Sequence, residues 1–432
     1  MKKNILILIV ILLIIAIIIS ILIFAITNYE PRDEYYQLGS GAEEYEIKME
    51  GYYKVKTSIE QYFNSLNKET YYRRDDDGGY LLAPDEDINL NIISYLSKEY
   101  INKNNITTKN LNNYIKLLDG SQTIEIIDMK TKLGENADKY LVRGIAVNSD
   151  YELTEEFYLY VILDNKNETF AIEPINNISD ISKIEIINED QNIEKNGINT
   201  YTDYSPSLSD ILNNYITRYK TLALAVPDIA YNYLDEQYRE KRFGNVENFK
   251  QYVQENRNTI KQTRAVAYLS EYLYNKEFVI EYKIYDQFGR IYVFDEKDEL
   301  NYKIKLDTYT IMSDEDYNYY INATNLEKVE ANIDDFFQMI NARDYTAAYS
   351  VLSDGFKSTY FKTESSFESF MKQTLYDNCQ IDFGNFSDKI SGVFTQYVEI
   401  KNGNNNNDKK IRMNIVMQLE GETGYKLSFE IL

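Results

Sequence analysis

Three short stretches decide the reading of this chain: Ile92-Ile93-Ser94-Tyr95-Leu96, Ala230-Tyr231-Asn232-Tyr233-Leu234 and Ala348-Tyr349-Ser350-Val351-Leu352. Laid on one another at Leu96, Leu234 and Leu352, without gaps, they open a match that continues downstream. Four positions past the leucine stand Tyr100, Tyr238 and Phe356, and fifteen past it stand Leu111, Phe249 and Phe367. Tyr114-Ile115, Tyr252-Val253 and Phe370-Met371 follow in the same register. Apolar spacing that recurs along one chain marks a repeated structural unit. The positions around the leucine share one helix face, and the later ones share the face of a second helix. Between them lie Thr107, Asn245 and Thr363, residue types favoured at helix N-caps, so an equivalent helix is expected to start at each. Ile106 and Leu111 occupy the two positions of a hydrophobic staple.

Working outward, each copy has a further helix upstream. Its stripes are Val55, Ile59, Tyr62, Phe63 and Leu66; Leu208, Leu212, Tyr215, Ile216 and Tyr219; and Val329, Ile333, Phe336, Phe337 and Ile340. All three follow one helical spacing. Ser205-Pro206 is a start signal for the second, and Thr324 with Glu327 forms a capping box for the third. The first copy carries an insertion at 71–87. Its Asp75-Asp76-Asp77-Gly78-Gly79 run lacks the ligand spacing of a calcium loop and reads as a solvated loop.

Downstream the period falls to two. Tyr302, Ile304 and Leu306 alternate with polar residues, as do Ile411 to Leu419 and Tyr425 to Ile431, and Phe157–Leu163 and Phe170–Ile175 are the counterparts in copy one. Half-buried, hairpin-linked strands give this pattern. The Asn402–Asp408 run is then a loop, and Ile184–Ile187 a candidate extra strand.

The N-terminus has a different character. From Ile5 to Ile26 every residue but Ser20 is apolar. At about 1.5 Å rise per residue, such a run crosses a hydrocarbon core of roughly 30 Å. Lys2 and Lys3 precede it, and Glu30, Asp33 and Glu34 follow, against Arg32 alone. The positive-inside rule places the N-terminus in the cytoplasm and the rest outside. The apolar run is too long for a cleaved signal peptide and lacks a small-residue cleavage site. The expected organisation is a cytoplasmic tail (1–4), a transmembrane helix (5–27), a linker (28–50), domain one (51–180), a connector (181–204), domain two (205–312), a linker (313–325) and domain three (326–432). The expected fold class is α+β, each domain being three helices packed on a bent antiparallel sheet.

The formal net charge of −23 disfavours nucleic acid and anionic membrane surfaces as partners of the ectodomain, because both need basic patches. Cys379 is the one cysteine, so no intrachain disulfide forms, and its apolar neighbourhood reads as burial. The 42 tyrosines read as core and surface filler. With no histidine, serine and cysteine triads and a histidine base are excluded, and with one cysteine besides, no structural or catalytic zinc site is expected. Asp382-Phe383-Gly384 spells a kinase tripeptide without the rest of a kinase, and no phosphate loop or transpeptidase motif is present. No catalytic, cofactor-binding or metal-binding residue is singled out, and no cofactor is expected.

Three helices followed by about four antiparallel strands resembles the nuclear-transport-factor-2-like superfamily, over residues 51–180, 205–312 and 326–432. A membrane anchor before tandem copies is similar to extracytoplasmic conjugation proteins of Gram-positive mobile elements and to the N-terminal extension of some penicillin-binding proteins. The resemblance implies cone-shaped domains and an envelope location. The fold itself hosts enzymes, binding modules and scaffolds, and it is the anchor, the repeated domains and the missing catalytic residue types that point to a non-enzymatic assembly or ligand-binding role, with a part in a conjugation or secretion machine as one form of it. Enzymes of the superfamily keep an Asp, Glu or His base inside the cone, so a cone-pocket enzyme with a carboxylate base is the alternative. The expected partners are the lipid bilayer through residues 5–27 and other envelope proteins, with a small apolar ligand as a further option. If the copies are independent domains, Leu96, Leu234 and Leu352 should each be buried in their own copy, and loss of one should be felt locally.

Overall fold

A computed structural model of the protein describes residues 36–37, 51–74, 78–175, 186, 199–201, 207–273, 280–405 and 407–432. The chain is a mixed α+β protein with four antiparallel sheets. The apolar run Ile5–Ile26 lies outside the described residues; among those, no helix is long and apolar enough to cross a membrane.

A two-residue strand, β1 (Tyr36–Gln37), comes first. Unit one then opens with α1 (Tyr52–Leu66), whose stripe from Val55 to Leu66 is fully buried. The insertion forms a ribbon of β2 (Tyr72–Arg74) and β3 (Tyr80–Leu82); of the run expected to be a loop, Gly78 and Gly79 lie between these strands in no regular element, and residues 75–77 lie outside the description. Two short helices follow, α2 (Asp85–Ile93) and α3 (Lys98–Asn104). The sheet is β4 (Thr123–Lys132), β5 (Ala137–Val147), β6 (Leu153–Asp164), β7 (Thr169–Pro174) and β8 (Asn199–Thr200), in that order. Strand β8 comes from the expected connector, while the candidate strand Ile184–Ile187 falls outside the described residues except for Ile186.

Unit two is helix-rich: α4 (Leu208–Ala225), α5 (Pro227–Tyr233), α6 (Glu236–Arg242), α7 (Val246–Glu255) and α8 (Arg257–Gln262). Ser207 caps α4 in a reciprocal box with Asp210, one residue beyond the expected Ser205-Pro206 signal, which lies outside the described residues. Its sheet runs β9 (Ala265–Tyr272), β10 (Ile280–Asp286), β11 (Ile291–Glu296), β12 (Tyr302–Lys305), with β1 added on the outer edge of β9. The expected linker 28–50 thus contributes a strand to unit two. The expected linker 313–325 holds a helix, α9 (Asp314–Asn322), capped by Ser313.

Unit three follows with α10 (Asn325–Asn341), α11 (Tyr345–Ser350), α12 (Asp354–Tyr360) and α13 (Glu364–Thr374). Thr324 and Glu327 form the expected capping box of α10. Its sheet is β13 (Cys379–Ile390), β14 (Val393–Asn402), β15 (Ile411–Glu420) and β16 (Gly424–Ile431). On β15, Met413, Ile415 and Met417 are buried and alternate with polar or exposed neighbours, as period two requires.

The three leucines play one structural part. Leu96, Leu234 and Leu352 are at most 2% exposed. Each makes a parallel bridge to the sheet of its own unit, at Ile172, Ile304 and Leu427. In each case the next residue donates its backbone N–H to that strand: Ser97 to Ile172 O at 3.1 Å, Asp235 to Ile304 O at 3.0 Å and Ser353 to Leu427 O at 2.8 Å. That same residue stands at the N-cap of the following helix, α3, α6 or α12.

One expected equivalence fails. Asn245 and Thr363 cap α7 and α13, but Thr107 caps no α-helix. Its backbone N–H meets the side-chain oxygen of Asn110, and only a 3-10 turn, Leu111–Asn113, follows. The cause is local. Thr107, Thr108, Asn110, Asn112 and Asn113 crowd this stretch with side chains that compete for backbone groups and disfavour a helix. Leu111 is nevertheless fully buried, like Phe249 and Phe367.

The cores depart from three independent domains. One continuous hydrophobic cluster runs through units one and two, from Tyr52 to Leu306, and a second fills unit three.

Candidate functional site

Among the described residues, two openings stand out as candidate sites large enough to hold a ligand. The first, about 430 Å³, lies in unit one between α1 and β6. Tyr62, Phe63 and Leu66 form one wall, Phe157 and Leu159 another, and Tyr114 and Ile115 a third. The third wall is the stretch that fails to form a helix in this copy. In the other units, the counterparts of Tyr62 are packed against strand rings. Tyr215 lies 5.4 Å from Phe294 and 4.9 Å from Tyr302, and Phe336 lies 6.3 Å from Phe429, centroid to centroid. Glu155 stands at the rim of the unit-one opening, with Glu156 and Lys116 beside it. Surrounding protein raises the Glu155 carboxyl above its ordinary range, and Lys116 opposes this. Glu155 keeps exposed surface, so water damps the effect. A mixed lining of rings and aliphatic side chains with an acid at the mouth suits a small ligand that has an apolar part and a cationic or hydrogen-bond-donating end.

The second opening, about 720 Å³, is a cleft between units two and three. Arg264, Val266 and Gln287 line it from unit two, and Asp334, Gln338 and Gln380 from unit three. Its floor is an amide clasp. Asn341 donates to Gly289 O at 3.4 Å and Cys379 O at 3.1 Å, and Asn378 donates to Gln287 O at 3.0 Å. Gly289 has φ of +76°, and a Cβ there would lie 2.5 Å from Asn378 Oδ1, so both its backbone conformation and its lack of a side chain are used. Surrounding protein raises the Asp334 carboxyl to about 7, with Glu330 adding to it, although its exposed surface lets water damp the effect; it raises the adjacent, half-buried Asp335 to about 8, with Asp334, Asp307 and Asp316 adding to it and Lys283 opposing.

The junction of units one and two is closed. Arg218, 3% exposed, donates to Tyr233 Oη at 2.6 Å and to Glu299 O at 3.4 Å, and Tyr233 donates on to Ile127 O of unit one at 3.1 Å. Its guanidinium lies over the rings of Tyr233 and Tyr302, at 5.0 and 5.4 Å. Its Nε has no hydrogen-bond partner.

Among the described residues, no group of three acidic or cysteine side chains is placed to hold a metal ion; Asp75–Asp77 lie outside them. Cys379 is buried, and burial pushes its thiol up to about 12, away from reactivity. Asp382-Phe383-Gly384 lies on β13, where Asp382 pairs with Lys401, a structural role. The sequence singled out neither opening. The first is lined in part by the stretch that forms no helix and the second lies where two units meet, and neither leaves a motif. No protein-family model matches the chain, and no curated protein matches it.

Proposed function

We propose that this protein is anchored in the membrane by residues 5–27 and carries three tandem cone-like units on the outer side, as a non-enzymatic assembly or ligand-binding module of the bacterial cell envelope. The observation that carries the tandem reading is the shared bridge at Leu96, Leu234 and Leu352. The placement of the openings supports a binding role: one lies in unit one and one between units two and three. A component of a conjugation or secretion machine is one form of this role. The test is cross-linking of the tagged full-length protein in intact membranes, followed by identification of its neighbours. Recovery of a defined set of envelope proteins is expected, and recovery of cytoplasmic proteins alone contradicts the reading.

The acid at the unit-one pocket favours a second reading, an enzyme that uses Glu155 as a base. Glu155→Gln separates the two. Weakened ligand binding with no turnover in either form supports the binding reading, whereas turnover by the native protein that is lost in the variant with binding retained supports catalysis.

A further inference from the structure

The strand that precedes unit one does not pair with unit one. Tyr36 lies opposite Tyr268 and Gln37 opposite Ala267, on the outer edge of β9 in unit two. Strands β4 and β13, which open the sheets of units one and three, have no such added strand among the described residues. We propose that this staple fixes the orientation of the ectodomain at the bilayer: unit two is the membrane-facing unit, the Tyr272 end of β9 points to the lipid headgroups, and the cleft that begins at Arg264 is turned away from them. The proposal rests on the anchored reading given above.

Chain reach supplies the first argument. The apolar run ends near Thr27, and β1 begins at Tyr36. The residues between, fully extended, reach roughly 30 Å at most. A unit of about 100 residues has a radius of gyration near 13 Å, so its diameter is comparable with that reach. The stapled edge of unit two is therefore held within about one unit diameter of the bilayer, nearer along the chain than either other unit. From Gln37 to the start of α1 the chain is longer, which leaves room to pass from unit two back to unit one.

Direction supplies the second argument. The pairing is antiparallel, so the end of β1 that leads back to the anchor lies on the Tyr272 side of β9. The other end leads toward Val266 and Arg264, which line the cleft. Surface chemistry agrees, since Tyr272 is 64% exposed at the end nearer the anchor. A tyrosine suits the headgroup layer, where one end of the ring is apolar and the other wet.

The test uses the full-length protein in phosphatidylcholine–phosphatidylglycerol vesicles, with Cys379→Ser removing the one native thiol. Single probes at Tyr272→Cys and Arg264→Cys report energy transfer to a headgroup acceptor. The two ends of β9 are about 25 Å apart at 3.4 Å per residue, which separates the readings. Transfer is expected to be several-fold stronger at position 272 than at 264. The paired substitution Tyr36→Pro with Gln37→Pro breaks the staple and should reduce the difference, while a thermal melt checks that the unit stays folded. Equal or reversed transfer, or a difference unmoved by the prolines, overturns the orientation while leaving the anchor intact. Failure to float with the vesicles overturns the anchored reading and this proposal together.

Discussion

The two junctions between units are built on opposite principles. Units one and two share a single hydrophobic cluster, and the polar group between them, Arg218, is sealed under tyrosine rings. Units two and three have separate cores and meet through charged and amide groups. Arg242 bridges Asp344 at 2.7 Å and Asp307 at 3.5 Å, Lys283 meets Asp316 at 3.3 Å, and the Asn341 and Asn378 clasp lies beside an open cleft. Burying apolar surface joins bodies into one cooperative unit, whereas polar contacts near water contribute less each and yield more easily. The first junction should behave as a weld and the second as a hinge.

The largest effect should come from the leucines. Replacing Leu96, Leu234 or Leu352 with Ala should cost about 2–5 kcal/mol. The shared cluster changes where that loss is felt. Leu96→Ala and Leu234→Ala should lower the same calorimetric transition, and Leu352→Ala a different one. Three separate responses would break the distinction between weld and hinge.

Arg218→Ala should come next, at about 1.5–3 kcal/mol, the value of hydrogen bonds to a charged group. It should loosen unit one from unit two, seen as earlier cleavage by protease near the junction. Arg218→Met, which keeps volume and removes a buried charge, should cost less than Ala. If Ala and Met behave alike, the charge and its ring contacts matter more than the packing.

The smallest effect concerns pH at the hinge. A carboxyl with a folded value raised to about 7 or 8 binds its proton more tightly in the folded state than in the unfolded chain. Its contribution is therefore fully present below the ordinary carboxylate value, and is lost as pH rises toward about 8. Unit three should melt at a higher temperature at pH 5.5, roughly, than at about pH 8.5. Asp334 is exposed and water weakens its share, so the half-buried Asp335 should dominate. Asp335→Asn should flatten the dependence and raise the melting point on the alkaline side. A slope unchanged in the variant would remove Asp335 from the account.

The same contrast shows what the sequence could reveal. The helix stripes, the capping box at Thr324 and the alternation on β15 were legible because each repeats a spacing set by local geometry. The cap column Ser97, Asp235 and Ser353 lay in the same alignment, one place past the leucines, and could have been read there. The helix expected at Thr107 was lost to side-chain competition for the backbone, which residue type at one position does not reveal. Strand β1 is too short to show a period. The weld joins residues far apart in the chain, such as Ile127 and Tyr233, and neither opening leaves a local pattern. Each depends on how finished elements meet.

Hydrogen exchange on the full-length protein, resolved to Ser97, Asp235 and Ser353, tests the central account most directly. Each donates its backbone N–H to its own sheet beside an anchor leucine. The account predicts strong protection at all three, with Ser97 and Asp235 opening at one common free energy and Ser353 at another. An unprotected amide at any of the three would contradict the repeated unit. Ser97 and Asp235 opening separately, or Ser353 opening with them, would contradict the division into weld and hinge.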